Sequence, residues 1–118
     1  MVSNFDFQAK FKKSEQLHEG GVLLLRFHSD RQATIMFWLS VRDCLFAWLE
    51  MNQIQFDSTP AALVIAMSNP ELREFHSAFA FTYMVGTMSE WDEAFSITNE
   101  QAVHYKKICE ELVGRLKR

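Results

Sequence analysis

The sequence contains little glycine, and this shortage excludes one common class of site. Phosphate is often held by a glycine-rich loop, because only glycine lets backbone N–H groups approach the anion closely. The chain has four glycines in 118 residues, and their spacing matches no such loop. We therefore exclude nucleotide binding through a glycine-rich loop.

Cysteine is also scarce, which argues against a secreted, disulfide-bonded protein. Small secreted domains use several closely spaced cysteines, whereas Cys44 and Cys109 lie far apart in helix-like sequence. Residues 1–13 carry charges among scattered phenylalanines, so they lack the apolar core of a signal peptide. We predict a cytoplasmic protein in which both thiols are buried and inert.

The chain has no long uninterrupted apolar run. Its longest apolar stretch, residues 33–49, has 17 residues and contains Arg42 and Asp43. A membrane span needs about 20 residues. Each charge would cost about 2.5–3.5 kcal/mol near the centre of an inserted helix. We expect no association with a membrane.

Aromatic and apolar residues are plentiful. Hydrophobic residues make up 48% of the chain and charged residues 23%, as in a globular protein. The 118 residues fit one ordinary domain, which we expect to span residues 1–118. Each of the many aromatic rings brings roughly 150–250 Å² of surface to bury. Either the core is unusually aromatic, or some rings lie at the surface within reach of a partner.

Helix signals recur along the chain and predict a mostly α, compact bundle of four to six helices. Apolar residues at helical spacing predict helices over residues 31–52 and 70–88. Proline at the first helical position starts a third helix, residues 60–67, whose apolar composition predicts burial. A capping box at Thr98–Gln101 opens a C-terminal helix. Its predicted buried stripe is Ala102, Tyr105, Cys109, Leu112 and Leu116.

The N-terminal third allows two interpretations. Ser3 resembles a helix cap, residues 7–19 are rich in helix formers, and Gly20-Gly21 is a natural C-terminal stop. This pattern favours a helix that ends at the two glycines. The alternation of apolar and polar residues near its start also fits a strand. Residues 22–41 fit either helical segments or a small β-hairpin.

Signals for catalysis or cofactors are weak, so we expect neither a metal nor any other cofactor, and no enzymatic activity. Glu15 and His18 have the spacing of a di-iron ligand pair, but such a site needs a second pair and two further carboxylates. His76 lies on the apolar stripe of helix 70–88, near Tyr83. A small enzyme or ligand-binding domain, with a pocket near these two residues, is therefore the alternative.

Nucleic-acid binding requires basic residues clustered on one face. The chain offers two small clusters, and both lie among glutamates: Lys10, Lys12 and Lys13, and Arg115, Lys117 and Arg118. The formal net charge of −3 also opposes binding to phosphate. Nucleic acid is an unlikely partner, and a weak nucleic-acid-binding regulator remains the second alternative.

Surplus apolar residues on helix 31–52 are the first sign of a protein partner. Ile35, Leu39, Phe46 and Leu49 fall in the same helical sector as the charged residues of this helix, which are Arg31, Arg42, Asp43 and Glu50, so they require a cover. That cover is the rest of the domain, a second copy in a homodimer, or another protein. Interfaces are enriched in the aromatic residues and methionine that this chain contains in number.

A tryptophan within an acidic run is the second sign. Residues 32–99 carry two basic and eight acidic side chains, and Glu90, Trp91, Asp92 and Glu93 lie within them. Such a patch suits a basic partner, although a tryptophan there is also compatible with a cap on the core. We predict a non-catalytic protein-binding module, an adaptor or an inhibitor of the immunity type that antagonises a basic partner. Its predicted contact residues are Ile35, Leu39, Phe46 and residues 90–93.

Overall fold

A computed structural model describes residues 4–118, with side chains from Phe7 onward. These residues form five α-helices: α1 (Asn4–Arg26), α2 (Asp30–Met51), α3 (Thr59–Ser68), α4 (His76–Trp91) and α5 (Asn99–Leu116). The predicted mostly α bundle of four to six helices is therefore confirmed. The alternative β-hairpin over residues 22–41 is wrong, because residues 22–26 end α1 and residues 33–41 lie within α2. The predicted cap Ser3 lies outside the described residues.

The helix α1 continues through Gly20 and Gly21, where the sequence predicted its end. A Cβ atom at Gly21 would lie 2.5 Å from a ring carbon of Phe37. A Cβ atom at Gly20 would lie 2.9 Å from the terminal methyl carbon of Met36. The two glycines therefore allow α1 and α2 to approach closely. That packing offsets the roughly 0.5–1 kcal/mol that glycine costs inside a helix relative to alanine.

The actual end of α1 is a backbone motif without its usual glycine. The N–H of Ser29 donates to the carbonyl of Leu24 (3.0 Å), and the N–H of His28 donates to the carbonyl of Leu25 (3.1 Å). This pair of bonds forms a Schellman motif, whose turning residue adopts the left-handed conformation. His28 is that residue, with φ of 59°. Glycine normally occupies this position. Because a histidine stands here instead, the sequence gives no signal that the helix ends at this point.

The helix α2 lies at the centre of the described chain and packs against the other four α-helices. It confirms the predicted helix over residues 31–52, with a difference of one residue at each end. Twelve of its 22 residues are buried. The core is rich in aromatic side chains, including Phe37, Trp38, Trp48, Phe79 and Tyr105. Within residues 4–118, no helix combines the length and apolarity of a membrane span.

The prolines mark the starts of two elements, as predicted. The Ser58 side chain accepts a hydrogen bond from the N–H of Ala61 and caps α3. Three residues of α3 are buried, Ala62, Leu63 and Ala66, whereas Val64 is 62% exposed, so the expected burial of this helix holds for only part of it. The helix predicted over residues 70–88 instead begins as a 3₁₀ helix, Pro70–Phe75, and continues as α4 to Trp91.

The C-terminal helix α5 agrees with the sequence in detail. The Thr98 side chain accepts from the N–H of Gln101, whose side chain in turn accepts from the N–H of Thr98. This is the predicted capping box. All five residues of the predicted stripe are buried: Ala102, Tyr105, Cys109, Leu112 and Leu116. Both features depend on local sequence, which explains why they were predictable.

Candidate partner-binding surface

The last turn of α4 and the residues after it present the acidic tryptophan segment, which we define as residues 90–93. Its four side chains, those of Glu90, Trp91, Asp92 and Glu93, are all exposed. Trp91 is 78% exposed and therefore does not cap the core. The ring of Trp91 therefore lies in solvent, flanked by the carboxylates of Glu90, Asp92 and Glu93.

Arg31, in the first turn of α2, holds this segment in place. Its guanidinium donates to the backbone carbonyls of Ser89 (Nε, 2.7 Å), Asp92 (Nη2, 2.6 Å) and Phe95 (Nη1, 2.8 Å). The last carbonyls of a helix have no partner within the helix, so a charged donor there is stabilising. Of the three carbonyls, that of Ser89 lies in the last turn of α4 and those of Asp92 and Phe95 lie in the chain that follows, and the planar fork of arginine reaches all three. The C-terminal end of α4 is thus attached to the start of α2.

Two further hydrogen bonds fix the chain that follows the acidic tryptophan segment. The Asp92 side chain accepts from the N–H of Ala94 (3.0 Å), which turns the chain directly after Trp91. The Asn99 side-chain amide donates to the Asp30 carboxylate (2.8 Å), joining the starts of α5 and α2. The chain on both sides of Trp91 is therefore fixed by hydrogen bonds to other elements.

Exposed apolar side chains extend the acidic tryptophan segment along α4. Met84 is 52% exposed and Met88 36% exposed. Together with Trp91 they occupy positions i, i+4 and i+7, which lie on one side of a helix. We call these three residues the α4 stripe. Phe27, 74% exposed, lies at the same end of the bundle, because Arg31 is only one helical turn further along the chain.

A cleft of about 380 Å³ lies beside the α4 stripe, between α4, residues 95–97 and α5. Glu100, Gln101 and His104 contribute polar groups to this α4–α5 cleft, and the remaining lining is largely apolar: Phe81, Val85, Phe95, Ile97 and Tyr105. The Tyr105 hydroxyl donates to the carbonyl of Thr82 (2.7 Å), which ties α5 to α4. Burial raises the pKa of Tyr105, so its hydroxyl remains a neutral donor.

The pocket residues suggested by the sequence, His76 and Tyr83, do not line this cleft. His76 is exposed at the start of α4 rather than on its buried face, because the preceding residues form the 3₁₀ helix. Tyr83 packs edge-on against Trp38, with ring centroids 5.5 Å apart. The cleft was missed because its walls come from residues that are distant in sequence.

The predicted contacts Ile35, Leu39 and Phe46 lie on α2, in the sector that also contains Leu49, which is fully buried. Ile35, Leu39 and Phe46 are each half-buried, and Leu39 and Phe46 pack against the core. The Phe46 ring lies 4.7 Å from that of Phe56, between their centroids. The chain itself therefore covers much of the apolar sector that sequence reasoning left without a cover.

The residues considered for metal binding and nucleophilic chemistry have structural contacts. Glu15 pairs with Lys117 (2.9 Å), which holds the pKa of its carboxyl below the usual value. His18 Nε2 lies 3.0 Å from a carboxylate oxygen of Glu110. Among the described residues, no three His, Cys, Asp or Glu side chains are grouped to hold a metal ion. Burial raises the pKa of the Cys44 thiol to about 12, which leaves it protonated and unreactive.

Three of the six clustered basic residues contact other parts of the chain. Lys10 forms an ion pair with Glu50, Lys117 pairs with Glu15, and Arg115 donates to a backbone carbonyl of the 3₁₀ helix. A nucleic-acid site needs free cations on one face, and this arrangement does not favour one.

No protein-family model matches this chain, and no characterised protein is significantly similar to it. The surface chemistry is therefore the basis for assigning a function.

Proposed function

We propose that the protein is a non-catalytic binding module that recognises a basic partner protein through the acidic tryptophan segment. It acts as an adaptor or as an inhibitor of the immunity type, in the cytoplasm, where its thiols stay reduced. The observation that supports this proposal best is the 78% exposure of Trp91 between exposed carboxylates, on a helix end fixed by Arg31.

The two kinds of residue in this segment have different energetic roles. A tryptophan that fills a pocket of a partner contributes about 2 kcal/mol or more to binding. The carboxylates of Glu90, Asp92 and Glu93 attract a basic surface over a distance of roughly 8–10 Å at physiological salt. They therefore act mainly on the association rate, whereas Trp91 acts mainly on the lifetime of the complex.

A second candidate is a ligand-binding domain that uses the α4–α5 cleft. The cleft volume of about 380 Å³ falls within the range of small-molecule sites. A thermal-shift screen with metabolites distinguishes the two functions. Ligand-specific stabilisation supports this second candidate, whereas a stoichiometric protein complex supports the first.

The test of the proposed function begins with capture of the partner from the native host, followed by measurement of binding with purified components. We expect a triple charge reversal, Glu90→Lys, Asp92→Lys and Glu93→Lys, to slow association by about 10-fold or more at low salt. This difference should shrink as salt screens the charges. A folded variant with an unchanged association rate at every salt concentration would exclude the acidic residues from the contact.

A further inference from the structure

The α4 stripe and the α4–α5 cleft form one apolar groove, and we propose that this groove binds a cationic amphipathic helix of the partner. This inference rests on the proposed function and specifies the partner segment that is recognised. Three observations support it: the continuity of the apolar surface, its length, and the sign of the surrounding charge.

Both parts of the apolar surface lie on α4, and helical spacing places them side by side. Phe81 and Val85 line the cleft, and Met88 follows them at i+7 and i+3, on the same side of the helix. Met84 and Trp91 extend this surface towards solvent. Methionine side chains are flexible and polarisable, so they adapt to the varied apolar residues of a bound helix.

The dimensions of the groove suit a helix. Phe81 and Trp91 are ten positions apart in α4, which corresponds to about 15 Å, or roughly three helical turns. Recognition of an amphipathic helix uses such a groove, into which side chains at i, i+3/i+4 and i+7 insert. Residues 4–118 contain no β-strand whose edge an extended peptide could join.

The charge around the groove indicates the sign of the charge on the partner segment. The sequence has no lysine or arginine between Arg73 and Lys106, but it has five acidic residues there. Glu100 lines the cleft, and the acidic tryptophan segment lies at the end of the stripe, so exposed carboxylates lie at both parts of the groove. Arg31 contributes one positive charge next to the three carboxylates of the acidic tryptophan segment, so this end of the groove keeps a net charge of −2. A helix with lysine or arginine beside its apolar face complements this arrangement.

Internal contacts also fix the positions of the helices that form the groove. The Tyr105–Thr82 hydrogen bond joins α5 to α4, and Gly86 allows the backbone of α4 to lie directly against the Trp38 side chain. A partner helix therefore meets a formed surface and does not have to separate the two helices.

The inference can be tested with three synthetic peptides of about 14 residues, or roughly four helical turns. The first contains leucine and lysine, with the leucines on one helical face. The second has the same composition, with the leucines distributed around the helix, and the third replaces lysine by glutamate. Acrylamide quenching of tryptophan fluorescence reports on the groove, because Trp91 is 78% exposed whereas Trp38 and Trp48 are 2% and 3% exposed.

We expect the first peptide to protect Trp91 from quenching and to bind at least ~10-fold more tightly than the second. The third should not bind, because its charge has the same sign as that of the groove.

A double variant, Met84→Gln with Met88→Gln, should weaken binding of the first peptide by ~10-fold or more. Val64→Gln is the matched control, since Val64 is 62% exposed on α3, and it should bind normally. All three substituted side chains are exposed, so thermal unfolding should confirm that both variants fold.

Three results would overturn the inference. Equal binding of the first two peptides, or no effect of the double variant, would show that charge alone attracts the peptide. Absence of binding by any peptide would exclude a cationic helix as the occupant. Self-association that the double variant abolishes would identify a second copy as the occupant. None of these results affects the proposed function, which is tested separately with the native partner and the charge-reversed segment.

Discussion

Arg31 connects the fold to the proposed function at the scale of single residues. It lies on α2, it binds carbonyls around the end of α4, and its hydrogen bonds fix the direction in which Trp91 leaves the helix. Sequence reasoning assigned Arg31 only to the charged sector of its helix. No local pattern indicates that an arginine will bind carbonyls 58 to 64 positions away, so this contact could not be predicted.

Replacement of Arg31 should therefore loosen the acidic tryptophan segment. We expect Arg31→Ala to lower the free energy of unfolding by about 1–3 kcal/mol, because several carbonyls lose a charged donor. Hydrogen exchange should increase in residues 89–95 before it increases elsewhere. Arg31→Lys should restore only part of the loss, because an ammonium group lacks the planar fork. Arg73→Ala, on the exposed 3₁₀ helix, is the control. Unchanged exchange in residues 89–95 of Arg31→Ala would refute this role.

The buried thiols and Tyr105 predict loss of stability at alkaline pH. Burial raises the pKa of Cys44 from the ordinary 9.0 to about 12, and it also raises those of Cys109 and Tyr105. A raised pKa in the folded state means that stability is full below the unfolded pKa and falls as pH rises towards the folded pKa.

Urea unfolding should therefore give constant stability up to about pH 9, followed by a decline of about 1.4 kcal/mol per pH unit for each such group that ionises on unfolding. Cys44→Ala should be less stable than the wild type near neutral pH through lost packing, yet show a shallower decline above pH 9, so the difference between them should shrink as pH rises. A flat profile to pH 11 in the wild-type protein would contradict the assignment of these groups as buried and protonated.

At the scale of helices, the close contact between α1 and α2 determines how the bundle is assembled. The ring of Phe37 lies where a Cβ atom at Gly21 would be, and Phe37 is fully buried, so it has little room to move. Gly114, in α5, has no neighbouring atom within 4 Å of the corresponding position. The chain thus contains two helical glycines in opposite environments.

We expect Gly21→Ala to destabilise the protein by about 1–3 kcal/mol through overpacking. Gly114→Ala should stabilise it by about 0.5–1 kcal/mol, because alanine favours the helix. Chemical denaturation of both variants measures the two effects against the same reference. If Gly21→Ala were as stable as Gly114→Ala, the close packing of α1 on α2 would be incorrect.

The helices also show which elements sequence reasoning can and cannot predict. The capping box of Thr98 and the cap of Ser58 use side chains within three residues of their partners, so both starts were predicted. The end of α1 was not predicted correctly. Gly20 and Gly21 serve helix packing instead of ending the helix, and His28 occupies the left-handed position at the actual end. Local rules identified the helices, but tertiary contacts decided where α1 ends.

At the scale of the whole molecule, three of the seven large apolar side chains that are exposed among the described residues lie on α4, and Trp91 stands among acidic residues at its end. The acidic run around Trp91 is visible in the sequence alone, and its side chains are exposed in the structure. It did not reveal the α4–α5 cleft, which depends on contact between two helices. It also overestimated the exposed apolar area of α2, because the cover supplied by other elements is not visible in a single helix.

The most direct test of this account is the affinity of the captured partner for wild-type protein and for Trp91→Ala, with Val64→Ala as the matched control. Both side chains are largely exposed, so neither substitution should change the melting temperature appreciably. We predict that Trp91→Ala weakens binding by about 30-fold or more, corresponding to about 2 kcal/mol, whereas Val64→Ala binds like the wild type. Equal affinity of folded Trp91→Ala and Val64→Ala would contradict the claim that the acidic tryptophan segment is the partner-binding site.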